Sequence, residues 1–434
     1  MKKIKAYIDN NLLLKIASFN SVAIGVRIIS GLLTSKAIAL YVGAEGMALV
    51  GNLRNFLTTI QSFTTLGFAN GIVKYIAEFK EDAQKLSQTI STVVISLFVA
   101  TFIVSIGCYF FAEAINNYVF NGEYNYTYII KVLAFTLPFH AVNVFFISIL
   151  NGLSKHKLFI KINILGQILG LLTTLFLIWK GHIDGALIAI VVVPVILFVV
   201  LIFGYLEFKR FLKPVNFKVI HFSTLKNLGS YSVMALFSSI MIPMTMLAIR
   251  NYLMNTVGLE EAGYWEAMLR ISNYYLMFVS TLITLYLLPK LAAIHTDKEF
   301  RYEIINFYKL IIPVFGLGLL LIYFLRTIII QIIFTEAFEP VKELFFWQLL
   351  GDFVKVLSMV ISYQFLAKKM IWHYLAVEMF SISVLYFMSI YLIDIYGVKG
   401  ATIAHSITFI IHYIVVLFIF SGSIFGFTKN KIIR

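Results

Sequence analysis

The chain has 434 residues, of which 60% are hydrophobic and only 13% are charged. Soluble domains average roughly 45–50% apolar residues, so this surplus excludes an ordinary globular core and makes lipid the solvent for most of the surface. The net charge of +14 favours the basic loops of a membrane protein over nucleic-acid binding, and the single cysteine, Cys108, excludes an internal disulfide.

Twelve apolar segments are long enough to cross the hydrocarbon core as helices. They lie at about 14–42, 48–76, 87–115, 126–152, 157–179, 184–206, 227–254, 263–290, 304–334, 340–367, 371–394 and 398–422. The first segment is too long for the apolar region of a signal peptide, so we interpret it as a retained span. The pattern predicts an all-α membrane protein with twelve transmembrane helices.

The positive charges alternate between the two sides of this predicted topology. With the N-terminus in the cytoplasm, 23 of the 35 Lys and Arg residues lie in cytoplasmic segments, and only Lys180, Lys342 and Lys399 lie on the opposite side. Cytoplasmic loops of membrane proteins carry such an excess of positive charge. The sequence therefore predicts that both termini are cytoplasmic.

A basic linker, residues 207–226, divides the chain into 1–206 and 227–434, with six predicted spans in each part. The two parts echo each other at a nearly constant offset. The echoes pair Ile183-Asp184-Gly185-Ala186 with Val398-Lys399-Gly400-Ala401, Arg54 with Arg270, and Lys74 with Lys290. These features predict two six-helix bundles related by a pseudo-twofold axis along the membrane normal, which is a transporter architecture. The alternative is a twelve-span scaffold without transport.

Several charged residues fall inside the predicted spans. The bases are Arg27, Lys36, Arg54, Lys131, Arg250, Arg270, Lys309, Arg326 and Lys355, and the acids are Glu266, Asp352 and Glu378. A charge at the bilayer centre costs about 2.5–3.5 kcal/mol, so these side chains should face protein or water. The excess of bases indicates an anionic substrate, because guanidinium groups bind phosphate and remain charged.

Some of these charges also fit structural roles. Lys36, Arg250 and Arg326 lie toward helix ends, where long side chains can reach the membrane interface. The spacings of Asp352 with Lys355 and of Glu266 with Arg270 also permit ion pairs on one helix face. Both readings stay open at this point.

Arg27 differs from the other bases. It lies near the middle of the first span, and no acid lies within one helical turn. Asn20, Ser30 and Thr34 recur at spacings that place them on the same helix face as Arg27. This polar stripe favours a functional role for Arg27 over a purely structural one.

Four stretches carry a family resemblance along nearly the whole chain. They are Val42-Gly43-Ala44-Glu45-Gly46 with Gly51-Asn52-Leu53-Arg54, Asn70-Gly71-Ile72-Val73-Lys74-Tyr75, Leu285-Tyr286-Leu287-Leu288-Pro289, and Trp347-Gln348-Leu349-Leu350-Gly351-Asp352-Phe353-Val354-Lys355-Val356. The sequence resembles the Wzx-type flippases of undecaprenyl-pyrophosphate-linked oligosaccharides, within the multidrug/oligosaccharidyl-lipid/polysaccharide exporter superfamily. It looks most like the branch for O-antigen and for lipid III of the enterobacterial common antigen.

This resemblance implies that a lipid-linked oligosaccharide is flipped from the cytoplasmic to the periplasmic leaflet of the bacterial inner membrane by alternating access. The candidate substrate-binding residues are Arg27, Arg54, Arg270, Lys355, Lys131 and Arg250, and the candidate coupling or gating residues are Asp352, Glu378 and Glu266. No catalytic residue, metal or cofactor is expected. Membrane lipids, a polysaccharide polymerase and a chain-length regulator are candidate partners.

Three other functions remain as alternatives. A cation-coupled multidrug antiporter of the same superfamily would need a membrane-embedded acid, and all three acids lie in the second half. A membrane enzyme acting on the same lipid would need large loops with acidic residues, whereas the loops here are short. A flippase of peptidoglycan precursors is chemically close, but such proteins often carry additional spans.

Overall fold

A computed structural model describes residues 12–122, 124–208 and 222–425, without the side chains of 12–21, 156, 204–208, 222–227 and 230–231. In these ranges the chain is helical and contains no strand. The helices are α1 Leu12–Tyr41, α2 Gly43–Thr65, α3 Ala69–Glu78, α4 Ala83–Phe110, α5 Ala112–Val119, α6 Thr127–Gly152, α7 His156–Phe208, α8 Phe222–Thr256, α9 Leu259–Leu282, α10 Leu288–Ala293, α11 Asp297–Phe324, α12 Arg326–Ile333, α13 Phe345–Ala367, α14 Ile371–Tyr396, α15 Val398–Ile419 and α16 Ser421–Phe425. A π-helical turn, Ile283–Leu287, joins α9 to α10, and a 3₁₀ helix, Glu336–Leu344, precedes α13.

The chain forms two compact units. Unit 1 comprises Met1–Val42 and Leu53–Ile240, and unit 2 comprises Gly43–Asn52 and Met241–Arg434. The first ten residues of α2 therefore belong with the C-terminal half of the sequence. Most of the predicted linker 207–226 lies outside the described residues, and the division at that linker stays a prediction.

The predicted span 48–76 is not one continuous helix. Helix α2 ends at Thr65. The next residue, Leu66, is left-handed with φ 51°, and Gly67 follows with φ 63°. A Cβ at Gly67 would lie 3.1 Å from the Cβ of Leu236, so a close approach of α8 also favours glycine here. The chain then restarts as α3, which packs against α6 through contact of Ile76 with Gly152.

Helix α7 is a hairpin of two arms. His182 has φ 47° and ψ −119°, which are not helical values, and it separates the arms 156–181 and 183–208. Glycines let the arms approach: a Cβ at Gly166 would lie 2.5 Å from Leu197, and one at Gly185 would overlap the carbonyl of Leu177. The two predicted spans 157–179 and 184–206 correspond to these arms.

Unit 2 repeats this close approach where α14 turns into α15. A Cβ at Gly400 would overlap the carbonyl of Leu392, as one at Gly185 would overlap Leu177. Leu177 and Gly185 are each separated from their counterparts, Leu392 and Gly400, by 215 positions, which is the offset of the echo that contains the two glycines. The helical hairpin of the first half therefore recurs in the second half, as the repeat predicts.

Within the described residues, ten helices are long and apolar enough to cross a membrane, judged by length and composition. One of them, Lys157–Phe203, contains both arms of α7, and the broken pair α2 and α3 is not among the ten. The prediction of an all-helical membrane protein is confirmed. The count of twelve spans is consistent with these elements.

Candidate functional site

Two groups of buried polar side chains lie in unit 2, and α9 contributes to both. The first, here called the arginine cluster, contains Asn52, Arg250, Asn251, Glu266 and Arg270. The second, here called the aspartate cluster, contains Ser272, Tyr275, Gln348, Asp352 and His405. Residues at spacings of three and four share a helix face, so α9 can point several polar groups into one interior.

Glu266 lies between two guanidinium groups. Nη2 of Arg250 donates to Oε2 of Glu266 at 2.7 Å, and Nε of Arg270 donates to Oε1 at 3.0 Å. Arg250 is 1% exposed, and its guanidinium also lies 5.3 Å from the ring centre of Trp265. Among the five side chains of the arginine cluster, two are cations and one is a carboxylate.

The start of α2 completes the arginine cluster. Nη1 of Arg250 donates to Oδ1 of Asn52 at 3.1 Å, and Nδ2 of Asn52 donates to Oδ1 of Asn251 at 2.7 Å. A Cβ at Gly51 would lie 2.6 Å from Oε2 of Glu266, so only glycine leaves room for the carboxylate. Similarly, a Cβ at Gly263 would overlap the carbonyl of Ala44. The close approach at Gly51 and Gly263 and the hydrogen bonds of Asn52 together hold residues 43–52 in unit 2.

Asp352 is fully buried and accepts several hydrogen bonds. Tyr275 donates its hydroxyl at 2.5 Å, Nε2 of Gln348 donates at 3.2 Å, and the hydroxyl of Ser272 is also a donor. Nε2 of His405 on α15 lies 2.9 Å from the other carboxylate oxygen. A buried carboxylate requires partners of this kind because desolvation of an isolated charge is costly. The arrangement can hold a negative charge or take up a proton.

Asp352 and Lys355 form no ion pair within 4.0 Å in the part of the chain that the structure describes, where the basic group beside Asp352 is His405. Among the described residues, the partners of Asp352 are the four named above, and the ammonium of Lys355 lies 4.9 Å from the ring centre of Phe409. That ring also contacts the imidazole of His405, with 4.8 Å between the centres. The spacing of three along α13 puts both residues near one face, but α15 supplies the nearer partner for each.

The alternative pairing of Glu266 with Arg270 is confirmed, whereas a snorkelling Arg250 is wrong, because its side chain is buried against Glu266. Arg326 remains partly exposed and lies over the ring of Tyr323 at 4.3 Å. Glu378 on α14 is partly buried.

The remaining candidates lie in unit 1. Arg27, Arg54 and Lys131 are exposed, and the ammonium of Lys131 lies 5.7 Å from the ring centre of Tyr109. In the part of the chain that the structure describes, no carboxylate lies within 4.0 Å of the Arg27 guanidinium. The Asn20 side chain of the predicted polar stripe lies outside the described residues.

Sequence reasoning missed several members of both clusters. Gln348 precedes Asp352 by four positions, so their common helix face was a usable signal. Asn52, Asn251, Ser272, Tyr275 and His405 gave no such signal, because tertiary packing brings them to their partners.

The chain shares its fold with solved membrane proteins of one architecture. An inward-facing multidrug resistance MATE family transporter of the MOP superfamily matches with a TM-score of 0.75 at 13% identity, covering 94% of this chain and 96% of that one. The lipid II flippase MurJ in an inward closed conformation matches with a TM-score of 0.70 at 18% identity, covering 96% and 94%.

Residues 13–295 match the polysaccharide biosynthesis protein family, and the chain belongs to that family. It is also similar to the lipid III flippase of Escherichia coli (strain K12), with 25% identity over 390 residues that cover 89% of this chain and 93% of the relative. The lipid III flippase of Shigella flexneri matches to the same extent. The resemblance inferred from the sequence is thereby confirmed.

Proposed function

We propose that this protein flips an undecaprenyl-pyrophosphate-linked oligosaccharide, such as lipid III or an O-antigen unit, from the cytoplasmic to the periplasmic leaflet of the bacterial inner membrane. The similarity to lipid III flippases over 89% of the chain is the observation that carries this proposal. Movement by alternating access and cytoplasmic termini belong to the same proposal.

The chemistry of this substrate fits the charges of the chain. A diphosphate has a high cost of transfer into hydrocarbon and requires cationic partners on its way. Of the charged residues that the predicted topology does not place in loops or at span ends facing them, we count nine Lys and Arg residues against the acids Glu266, Asp352 and Glu378. The isoprenoid tail can remain in lipid while the charged head moves, so a protein of this class needs a polar path for the head alone.

We assign the first contact with the diphosphate to Arg27 and Arg54, whose side chains are exposed in unit 1. Lys131, Arg250, Arg270 and Lys355 complete the proposed set of anion-binding residues. The buried state of Arg250 and Arg270 means that their contact with substrate would require a rearrangement of the arginine cluster. In the described structure, these two guanidinium groups are instead paired with Glu266.

For coupling, we propose Asp352 as the primary residue, with Glu378 and Glu266 as further candidates. Asp352 is buried against His405, and the pair can exchange a proton without a new partner. Glu266 is already neutralised by two guanidinium groups, which favours a gating role through its ion pairs.

A multidrug antiporter has less support. The MATE structures that match this chain are 13–15% identical to it and show a shared fold. The relatives of similar length at 25% identity are lipid III flippases. Ethidium efflux from cells expressing the protein would nevertheless favour the antiporter.

The test is functional replacement in two bacterial strains. One strain lacks its own lipid III flippase, and the other lacks its O-antigen flippase. We expect the protein to restore surface polysaccharide in at least one strain and to remove the accumulated lipid-linked precursor from the cytoplasmic leaflet.

The resident flippase of each strain serves as the positive control, and an immunoblot of membranes confirms that the protein is inserted. Failure in both strains, with the protein present in the membrane at the level of the positive control, would contradict the proposed function.

A further inference from the structure

Three tyrosines occupy alternate positions where the chain enters α6, two before the helix and one in its first turn. The buried amide of Asn116 fixes the segment before this helix: its Nδ2 donates to the carbonyl of Tyr124 at 2.9 Å, and its Oδ1 accepts from the N–H of Tyr126 at 2.7 Å. Asn121 and Gly122 adopt positive φ values of 59° and 72° and turn the chain sharply before it. The tyrosines therefore occupy defined positions.

The three rings form an ordered series. The rings of Tyr124 and Tyr126 are stacked, with 6.0 Å between centres and 11° between planes. The ring of Tyr128 lies 6.4 Å from that of Tyr126 at 60°. Phe120 is fully buried, and its ring centre lies 5.0 Å from that of Tyr126.

A carboxylate from the turn of α7 lies at the end of this series. The hydroxyl of Tyr128 donates to Oδ1 of Asp184 at 2.7 Å, and both side chains are exposed. The Tyr126 hydroxyl is a further hydrogen-bond donor in this series.

Tyrosines are common at membrane interfaces, where the ring contacts lipid and the hydroxyl contacts water. This series differs from ordinary interfacial tyrosines in three respects. Two of its rings stack on one another, the backbone at Tyr124 and Tyr126 is hydrogen-bonded to a buried amide, and one hydroxyl is hydrogen-bonded to a carboxylate. Aromatic faces carry partial negative charge and attract the C–H groups on the face of a pyranose ring. Hydroxyl-rich ligands also need a few well-placed polar groups that fix their orientation.

We propose that Tyr124, Tyr126, Tyr128 and Asp184 form a sugar-binding platform that recognises the pyranose units of the lipid-linked oligosaccharide. This inference rests on the proposed function and deepens it, since it separates recognition of the sugar from recognition of the diphosphate. The charge distribution predicts that this end of unit 1 faces the periplasm, so the platform receives the head group on its arrival there.

The test is native mass spectrometry of the full-length protein with equal amounts of lipid III from Escherichia coli and undecaprenyl diphosphate, which lacks sugar. The wild type should retain lipid III preferentially. The double variant Tyr124→Ala/Tyr126→Ala and the variant Asp184→Asn should each lower this preference, by about tenfold for the loss of a central aromatic contact, while binding of undecaprenyl diphosphate stays unchanged.

Two further variants make the result specific. Tyr128→Phe keeps the ring but loses the hydrogen bond to Asp184, so its preference should fall between those of the wild type and the double variant. Tyr396→Ala removes a tyrosine that is 55% exposed beside the turn from α14 to α15, and it should keep the full preference.

The outcomes of this experiment test the proposed sugar-binding platform and the proposed flippase function separately. A wild type that binds neither lipid overturns both proposals. A wild type that prefers lipid III, with a preference unchanged in the Tyr124→Ala/Tyr126→Ala and Asp184→Asn variants, overturns the platform and leaves the flippase function intact. Equal loss of both lipids in a variant with wild-type thermal stability also overturns the platform.

Discussion

The carboxylate of Asp352 and Nε2 of His405 lie 2.9 Å apart in the interior of unit 2, although 53 positions separate the two residues. Helices α13 and α15 bring them together, and α9 adds the hydroxyls of Ser272 and Tyr275 to the same carboxylate. A single acid thus joins three helices of this unit. We therefore expect substitutions of Asp352 to affect the stability of the protein as well as the proposed coupling.

Asp352→Ala should destabilise the protein, because three buried hydroxyl or amide donors lose their acceptor. Each buried polar group left unsatisfied costs about 1–3 kcal/mol, so the loss should be visible as a clear fall in the thermal unfolding temperature in detergent. Asp394→Ala is the matched control, because its exposed carboxylate accepts from Tyr252 at the surface. Equal stability of the two variants would contradict the structural role.

Asp352→Asn should separate the two driving forces of transport. Outward movement of a diphosphate carries about two negative charges, and each is worth about 2.3 kcal/mol per 100 mV. We expect the variant in proteoliposomes to respond normally to an imposed membrane potential at equal pH. Its response to a pH gradient at zero potential should be lost. A preserved response to the pH gradient would exclude coupling through Asp352.

Glu266→Gln should destabilise unit 2 by about 3–5 kcal/mol, because it removes the carboxylate that pairs with two buried guanidinium groups. The triple variant Arg250→Met/Glu266→Leu/Arg270→Met removes all three charges and should recover much of this loss. Thermal unfolding of both variants in the same detergent measures the difference. A triple variant less stable than Glu266→Gln would show that the ion pairs themselves supply the stability.

Gly185→Ala and Gly400→Ala should both destabilise their helical hairpins, because the added methyl group overlaps a backbone carbonyl in each case. Overpacking of this kind costs about 1–3 kcal/mol or more, and backbone cannot move away as a side chain can. Gly107→Ala is the control, since nothing lies within 4 Å of the added atom. Wild-type stability of either hairpin variant, measured by thermal unfolding, would refute this packing.

Arg27→Ala should abolish functional replacement in the flippase-deficient strains while the protein remains in the membrane. Arg27→Lys should retain part of the activity, because it keeps the charge but loses the bidentate geometry of the guanidinium. Accumulation of the lipid-linked precursor is the measurement. Arg326→Ala, at a partly exposed site over Tyr323, is the control for loss of an arginine within the spans. Full activity of Arg27→Ala would remove this residue from the substrate path.

The class of protein and the repeat of a helical hairpin were predictable from the sequence, and the ion pair of Glu266 with Arg270 was one of two readings that it left open. Hydropathy and charge act over a single helix or loop, so the spans can be predicted without knowledge of their neighbours. The pair of Glu266 and Arg270 follows from their spacing of four, which the helix period places on one face. The repeated glycines, Gly185 and Gly400, were visible as echoes for the same local reason.

The partners of the other buried charges depend on tertiary packing and could not be predicted from the sequence. Asp352 has His405 as its basic partner rather than Lys355, Arg250 is buried against Glu266 rather than at the interface, and residues 43–52 belong to unit 2. Each outcome depends on which helices pack together and how closely glycines let them approach. Helix periodicity fixes contacts within one helix, but contacts between residues far apart in sequence depend on the packing of whole helices, which no local pattern encodes.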